Sequence, residues 1–179
     1  MGRAFGTVLP GHPELVCSAL DDGLAQALIA RTLDTSDVRL REMTHDLERF
    51  SSEGQLMEWR PGRDLICLTN LTRVLLGVFW VADKSLPERD DYLDPERLRA
   101  LDPNLTCAIR TYGPARGHGL LTKKFAEHAL EELLRLRRER RVWYETKADN
   151  LGARALGRQM GFVEVSGEAG GRVVGVRSS

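Results

Sequence analysis

A glycine-punctuated segment between an apolar run and a long amphipathic run places the strongest constraint on the fold of this chain. The apolar run, residues 105–109, predicts a β-strand, and the amphipathic run that continues to Leu134 predicts an α-helix. Between them lies the segment 115–122, which contains Gly117 and Gly119. The sequence therefore predicts a tight strand-to-helix connection, in which glycine lets the backbone approach a bound group.

The start of this predicted helix is suited to binding an anion, because its first N–H groups have no partner within the helix and the helix dipole is positive there. We interpret the loop as a pyrophosphate site, and a tight turn that binds nothing is the alternative. A Walker loop would need lysine where Leu120 stands, and a dinucleotide fingerprint would need a third glycine where Thr122 stands. Glu145, at the end of the next predicted strand, could imitate the ribose-binding acid, so the dinucleotide interpretation stays open.

Composition limits the class of protein and of partner. The 179 residues fit one domain, residues 1–179, and the 26 basic and 26 acidic residues balance, which disfavours a dedicated nucleic-acid binder. No apolar run approaches the roughly 20 residues needed to span a bilayer, and the first residues lack a signal-peptide pattern, so we expect no membrane partner. Cys17, Cys67 and Cys107 stand in apolar contexts and predict reduced core residues of a cytoplasmic protein. No cysteine or histidine pair has metal-ligand spacing, so we expect no metal.

The rest of the chain predicts alternating strands and helices after an irregular segment, residues 1–13. Strands are predicted at 15–20, 65–68, 74–81, 142–146, 162–165 and 172–176, and helices from Asp21 or Asp22, from Thr35 or Ser36 through Phe50, from Asp94 through Leu101, and from Asp149 or Asn150 through Met160. The close succession of 65–68 and 74–81 predicts an antiparallel hairpin. The polar, locally acidic segment 84–104 is interpreted as a solvated insertion or as a flap that attracts a cationic acceptor.

Several weak patterns at this spacing together resemble the GNAT superfamily of N-acetyltransferases. They are the strand, the Arg-Gly-x-Gly loop, the helix, a strand ending in glutamate, then Asn150-x-x-Ala153 and Met160-Gly161-Phe162. The resemblance covers roughly residues 105–165. It implies an α/β (α+β) single-domain fold, with a central mixed, mostly antiparallel sheet flanked by helices. It also implies direct transfer of an acetyl group from acetyl-CoA to a primary amine of a small molecule or peptide. The N-terminal helices and the loop 84–104 would line the acceptor pocket, and a homodimer is left open.

The resemblance also implies where acetyl-CoA binds. Arg116 and Gly119 stand at the first two fixed positions of the family's loop pattern, whereas Leu121 stands where glycine or alanine is expected, which predicts a remodelled loop or a weaker pyrophosphate contact. The amides of the pantetheine arm are expected to pair with the open edge of the strand at 107–111. The implied coenzyme-binding residues are Ile109, Thr111, Arg116, Gly117, His118, Gly119, Leu120, Leu121, Thr122, Asn150 and Ala153.

For catalysis the resemblance implies that Glu145 is the general base that deprotonates the acceptor amine. We expect desolvation to raise the pKa of Glu145 toward a useful range. The tyrosine that usually serves as general acid, four residues before Gly161, is replaced by Gly157. The proton could then come from solvent, from Tyr112, or from no acid at all. A side chain at Gly157 is expected to stabilise the helix, because glycine in a helix interior costs about 0.5–1 kcal/mol relative to alanine.

Two alternatives to an active acetyltransferase remain open. Leu121 and Gly157 favour a coenzyme-A-binding regulatory domain that has lost catalysis. The second alternative is a dinucleotide-binding oxidoreductase, which is suggested by Gly117, Gly119 and Glu145. Only one strand–helix–strand unit follows the loop, and this disfavours that alternative.

Overall fold

The computed structural model describes residues 6–44, 47–116, 118–139 and 141–178. Within them the chain forms eight β-strands and six α-helices. The strands are β1 (Gly6–Leu9), β2 (His12–Ala19), β3 (Arg63–Asn70), β4 (Leu75–Asp83), β5 (Leu105–Thr111), β6 (Arg141–Lys147), β7 (Val163–Glu164) and β8 (Arg172–Ser178). The helices are α1 (Asp22–Leu33), α2 (Val38–Met43), α3 (Glu53–Trp59), α4 (Pro95–Leu101), α5 (Gly119–Arg137) and α6 (Leu151–Gln159).

The eight strands form one sheet in the order β1-β2-β3-β4-β5-β6-β8-β7. Neighbouring strands are antiparallel, except that β5 and β6 run parallel. The predicted fold class, a mixed and mostly antiparallel sheet flanked by helices, is confirmed.

The helices cover both faces of the sheet. Successive residues of a strand point to opposite sides, and apolar residues stand at both sets of positions in β3 and β4. Ile66 and Phe79 pack in one core with Phe125 of α5, whereas their neighbours Cys67 and Val78 pack in a second core with α1 and α3. We refer to these two sides as the α5 face and the α1 face.

Helix α5 follows the amphipathic pattern that predicted it. Phe125, Leu130 and Leu133 lie on its buried stripe, each at most 1% exposed. Burying each of these side chains contributes about 1.5–3 kcal/mol, so the packing of this stripe holds the helix against the sheet.

The caps of the later helices agree with the sequence, whereas the N-terminal half differs in detail. Asp94 and Asn150 cap α4 and α6 as predicted. The helix expected through Phe50 instead ends at Met43 and is followed by a separate 3₁₀ turn, Leu47–Phe50. Helix α2 is capped by Asp37 and not by the expected Thr35 or Ser36. The Ser36 hydroxyl donates to Asp34 instead. Strand β1 lies in the segment predicted to be irregular, and α3 was not predicted.

The parallel pair β5–β6 is joined only at its beginning. The paired residues are Leu105 with Val142 and Thr106 with Trp143. Beyond these two pairs the strands separate, which opens a gap inside the sheet.

Candidate functional site

A cavity of about 470 Å³ occupies the gap between β5 and β6. Its size lies within the range of roughly 300–1,000 Å³ typical of small-molecule sites. Residues 106–110 of β5 and 143–147 of β6 form two walls, and residues of α6 and the turn after it form a third. Side chains of β4 and of the segment after α2 close the cavity on the α1 face.

One edge of β5 is open to this cavity. The other edge pairs with β4 along the whole strand, from Leu105 to Thr111, whereas pairing with β6 stops at Thr106. Ile109 lines the cavity, and Thr111 lies at the far end of the open edge. Peptide groups along an open edge can pair with the amides of an extended ligand.

The N-terminus of α5, where β5 leads, carries no side-chain cap. His118 occupies the N-cap position and makes no capping hydrogen bond, whereas the other five described α-helices are each capped by an aspartate, serine or asparagine side chain. A Cβ added at Gly119 would have no atom within 4 Å, and Leu120 is 68% exposed. The side-chain positions at the start of α5 are therefore open, and no capping side chain occupies the N–H groups of its first turn, which leaves them available to an anion.

The remaining loop residues support this terminus. The Leu121 side chain packs against the core of the α5 face, which explains how leucine fits where the family pattern has glycine or alanine. The backbone N–H of Thr122 donates to the His118 carbonyl, and its hydroxyl donates to the Ala115 carbonyl at 3.4 Å. Gly117, the other predicted glycine of the loop, lies outside the described residues.

Arg116 ties the loop to the N-terminal half of the chain. Its guanidinium donates to both carboxylate oxygens of Asp37 and to the Thr111 carbonyl, the latter at 2.8 Å. The hydrogen bond from Arg116 is the main reason that the pKa of Asp37 is lowered. With these contacts, Arg116 fixes the position of the loop in this structure, and a contact to pyrophosphate stays a prediction.

Glu145 lines the cavity, with its side chain 22% exposed. Its Oε2 accepts a hydrogen bond from Arg172 at 2.6 Å, and its Oε1 lies 3.6 Å from a guanidinium nitrogen of Arg89. The structure places two cationic side chains, Arg172 and Arg89, beside this carboxylate. They come from distant parts of the chain, so no local pattern could indicate them.

Asn150 and Ala153 both line the cavity from α6. The Asn150 side chain caps α6 by accepting from the Ala153 N–H at 3.1 Å. The capping role predicted for Asn150 is confirmed, and its contact with coenzyme stays a prediction.

Tyr112 lies in the core of the α1 face and is fully buried. Burial raises the pKa of its hydroxyl, and the residue is not part of the cavity lining. This position disfavours Tyr112 as a general acid and is typical of a packing residue.

Tyr144 is the cavity residue that sequence reasoning missed. Its ring lies against Gly157 of α6 and against Gly175, its cross-strand partner on β8. A Cβ at Gly157 would stand 2.6 Å from the Tyr144 hydroxyl oxygen, and a Cβ at Gly175 would overlap the ring. This crowding disfavours the expectation that a side chain at Gly157 stabilises the helix. Glycine inside a helix and inside a strand was the available signal, since such glycines often mark a close approach.

The hydroxyl of Tyr144 is buried and has no hydrogen-bond partner among the described residues. Burial raises its pKa to about 12, so it keeps its proton at neutral pH. The ring also packs edge-on against Phe162, with 5.1 Å between centroids. The side chain of Tyr144 thus belongs to the cavity lining, and its buried hydroxyl holds a proton that no described residue accepts.

The polar segment 84–104 is anchored to the end of the sheet. Arg89 forms a bidentate pair with Asp91 and donates to the Arg172 carbonyl, and Tyr92 forms a β-bridge with Ser166. Part of the acidic charge of the segment is therefore already paired within the chain.

Two features are absent from the described ranges. They contain no group of three or more histidine, cysteine, aspartate or glutamate side chains arranged to hold a metal ion. Their helices include none with the length and apolar character needed to cross a membrane.

Comparison with known proteins identifies solved structures that have a similar fold. No protein-family model and no curated protein matches the chain. Among solved structures, the ribosomal L7/L12 α-N-protein acetyltransferase RimL in complex with coenzyme A is 16% identical, with 96% of this chain and 98% of that chain covered and a TM-score of 0.65. The Vibrio cholerae spermidine N-acetyltransferase, in complex with coenzyme A and spermine, is 14% identical over 91% and 93%, with a TM-score of 0.61. The GNAT domain of S. lividans PAT is 13% identical over 97% and 96%, with a TM-score of 0.65.

Proposed function

We propose, starting from the GNAT fold that this chain shares with those acetyltransferases, that it transfers the acetyl group of acetyl-CoA directly to a primary amine of a small molecule or peptide. The observation that carries the proposal is the cavity between β5 and β6, whose open β5 edge leads to the uncapped N-terminus of α5. Two of these neighbours are complexes with coenzyme A, which supports acetyl-CoA as the donor. Their names, a spermidine N-acetyltransferase and an α-N-protein acetyltransferase, support an amine as the acceptor. We also propose a cytoplasmic location, which the three buried free cysteines support.

In this proposal the N–H groups at Gly119, Leu120 and Leu121 bind the pyrophosphate, and the loop around His118 and Thr122 surrounds it. The pantetheine amides pair with residues 107–111 and pass Asn150 and Ala153 of α6. Arg116 and the undescribed Gly117 shape the loop.

An amine is protonated at neutral pH and cannot attack until a base removes a proton. We assign that role to Glu145, whose Oε1 is held less closely than Oε2. The amine nitrogen then bonds to the thioester carbonyl carbon, the carbon–sulfur bond breaks so that sulfur leaves as a thiolate, and the nitrogen loses its second proton to solvent to give the neutral amide. The Tyr144 hydroxyl is a candidate to donate a hydrogen bond to that sulfur.

Calorimetric titration with acetyl-CoA and with NAD tests the coenzyme. We expect binding of acetyl-CoA and none of NAD, and a loss of about 1–3 kcal/mol in Gly119→Val, the scale of polar groups left unpaired. Gly54→Val is the matched control, because Gly54 also lies in a first helical turn with open space around its Cβ. Unchanged affinity in folded Gly119→Val would rule out the anion site, and selective binding of NAD would favour the oxidoreductase.

Thiol release over a panel of amines tests the reaction. Glu145→Gln keeps the shape of the side chain and removes the proton acceptor, so turnover should fall roughly 10²–10⁴-fold with affinity for acetyl-CoA nearly intact. A wild-type protein that binds acetyl-CoA but releases no thiol with any amine would favour the regulatory alternative.

A further inference from the structure

The cavity lining carries an excess of positive charge. Its two acidic side chains, Asp83 and Glu145, are each paired with an arginine, Arg137 at 2.7 Å and Arg172 at 2.6 Å. Against them stand six basic side chains, Arg49, Arg63, Lys84, Arg110, Lys147 and Arg172. The net charge of the described lining is therefore positive, however the individual pairs are arranged.

An aromatic cluster lies beside these charges. Phe50, Trp59 and Trp80 pack edge-to-face, with ring centroids 4.6 Å apart for Phe50–Trp59, 5.4 Å for Trp59–Trp80 and 5.9 Å for Phe50–Trp80. All three side chains are at most 7% exposed. The cluster is thus a rigid part of the core on the α1 face.

Two arginines of the lining stack on this cluster. The guanidinium of Arg63 lies 4.7 Å from the Trp59 ring, and that of Arg110 lies 4.3 Å from the Phe50 ring. Arg110 is only 6% exposed. Stacking on aromatic rings orients a guanidinium without neutralising its charge.

Arg49 adds a third cation next to this pair. Burial, followed by the charge of Arg49, lowers the pKa of Arg63. The Arg63 side chain donates to the carbonyls of Trp59 and Pro61 rather than to a carboxylate. We call Arg49, Arg63 and Arg110 the guanidinium cluster.

The guanidinium cluster and the proposed pyrophosphate site are built from different elements of the fold. Arg110 stacks on Phe50 and Trp80, which belong to the core of the α1 face. Helix α5, whose N-terminus is the proposed pyrophosphate site, packs on the opposite face. The pyrophosphate site as proposed uses no residue of the cluster.

We propose that the guanidinium cluster binds an oxyanion carried by the acceptor, so that the substrates of this enzyme are amines with a carboxylate or similar group rather than polyamines. Guanidinium groups match the planar geometry of carboxylates and bind them bidentately. A polycation such as the spermine bound by the Vibrio cholerae neighbour would meet repulsion in this lining. The inference rests on the proposed acetyltransferase function, since it names the acceptor of that reaction.

The test compares acceptors that differ only in charge. Three six-residue peptides with a free N-terminal alanine and an amidated C-terminus carry glutamate, glutamine or lysine at the same two positions, and 4-aminobutyrate and 1,4-diaminobutane form a small-molecule pair. Calorimetry on the coenzyme-A-loaded protein should give at least about 10-fold tighter binding for the anionic member of one set than for its neutral or cationic counterparts. The set that shows the difference distinguishes a peptide from a small-molecule acceptor. Equal binding, preference for the cationic members, or no binding of either anionic probe would overturn the proposal.

Variants locate the effect. Arg63→Gln and Arg49→Gln should each weaken binding of the preferred anionic probe about 5–50-fold and leave its uncharged counterpart nearly unchanged. Arg135→Gln is the control, since Arg135 is an exposed arginine of α5 outside the cavity. Equal losses for charged and uncharged probes, or losses in Arg135→Gln as large as in Arg63→Gln, would overturn the assignment.

Titration of coenzyme A alone, on the same samples, separates this inference from the proposed function. If wild type does not bind coenzyme A, the proposed function fails, and the charge preference is then measured on the coenzyme-free protein. If Arg63→Gln weakens coenzyme A binding as much as it weakens binding of the anionic probe, the cluster serves the coenzyme and the inference fails.

Discussion

Tyr144 and Tyr112 occupy different environments although both are buried. Tyr144 lines the cavity with an unpaired hydroxyl, whereas Tyr112 lies in the core of the α1 face. The pKa of Tyr144, about 12, lies above that of a thiol, roughly 8–9, so the hydroxyl is suited to donating a hydrogen bond to a departing thiolate rather than its proton.

We expect Tyr144→Phe to lower kcat about 10–100-fold with affinity for acetyl-CoA intact, and Tyr112→Phe to leave kcat within about twofold. Steady-state kinetics on both variants is the measurement. The reverse pattern would return the acid role to Tyr112, and no effect in either variant would favour solvent as the proton source.

Contacts of single residues could be predicted from the sequence where they are local, and not where the partner comes from a distant part of the chain. The capping role of Asn150 could be predicted, because a helix cap depends on a few neighbouring residues. The partners of Glu145 could not, because Arg89 and Arg172 are brought to it only by the anchoring of the segment 84–104 and the pairing of β6 with β8.

Helix α6 contains two glycines that differ in their surroundings. A Cβ at Gly152 would meet only the Asn150 side chain, at 3.8 Å, whereas a Cβ at Gly157 would overlap Tyr144, which Gly175 prevents from retreating. Gly157→Ala should therefore destabilise the protein by about 1–3 kcal/mol, the cost of overpacking. Gly152→Ala should be neutral or stabilise by up to about 1 kcal/mol. Urea unfolding of the two variants measures both values, and a more stable Gly157→Ala would contradict the packing described for Tyr144.

Long elements with a clear period could be predicted, and short ones could not. The hairpin of β3 and β4 and the stripe of α5 repeat a pattern over many residues, so their apolar faces identify them. Helix α3 has seven residues and β1 has four, which is too short for a hydrophobic period to stand out. The open edge of β5 at residues 107–111 could be predicted only from the family resemblance, because strand divergence leaves no local trace in sequence.

The ion pair between Asp37 and Arg116 connects the N-terminal half of the molecule to the loop before α5. Because the pKa of Asp37 is lowered in the folded state, the pair contributes stability above the unfolded value of about 3.9 and loses it as pH falls through the folded pKa. Asp37→Asn should cost about 1–3 kcal/mol at pH 7, and its difference from wild type should shrink below pH 4. Urea unfolding between pH 3 and pH 8 checks this, with Asp90→Asn as an exposed control. A difference that does not change with pH would show that the charge of Asp37 has no part in it.

The two-pair junction of β5 and β6 would give the proposed coenzyme a second role in this molecule. A pantetheine arm lying in the gap would bridge the two halves of the sheet as an added strand, and so would belong to the scaffold as much as to the reaction. Any ligand that binds only the folded state raises stability, by about 2.7 kcal/mol at one hundred times its Kd. The survival of the protein against unfolding and proteolysis would then follow the supply of coenzyme A, which makes its abundance a readout of the metabolic state that feeds it.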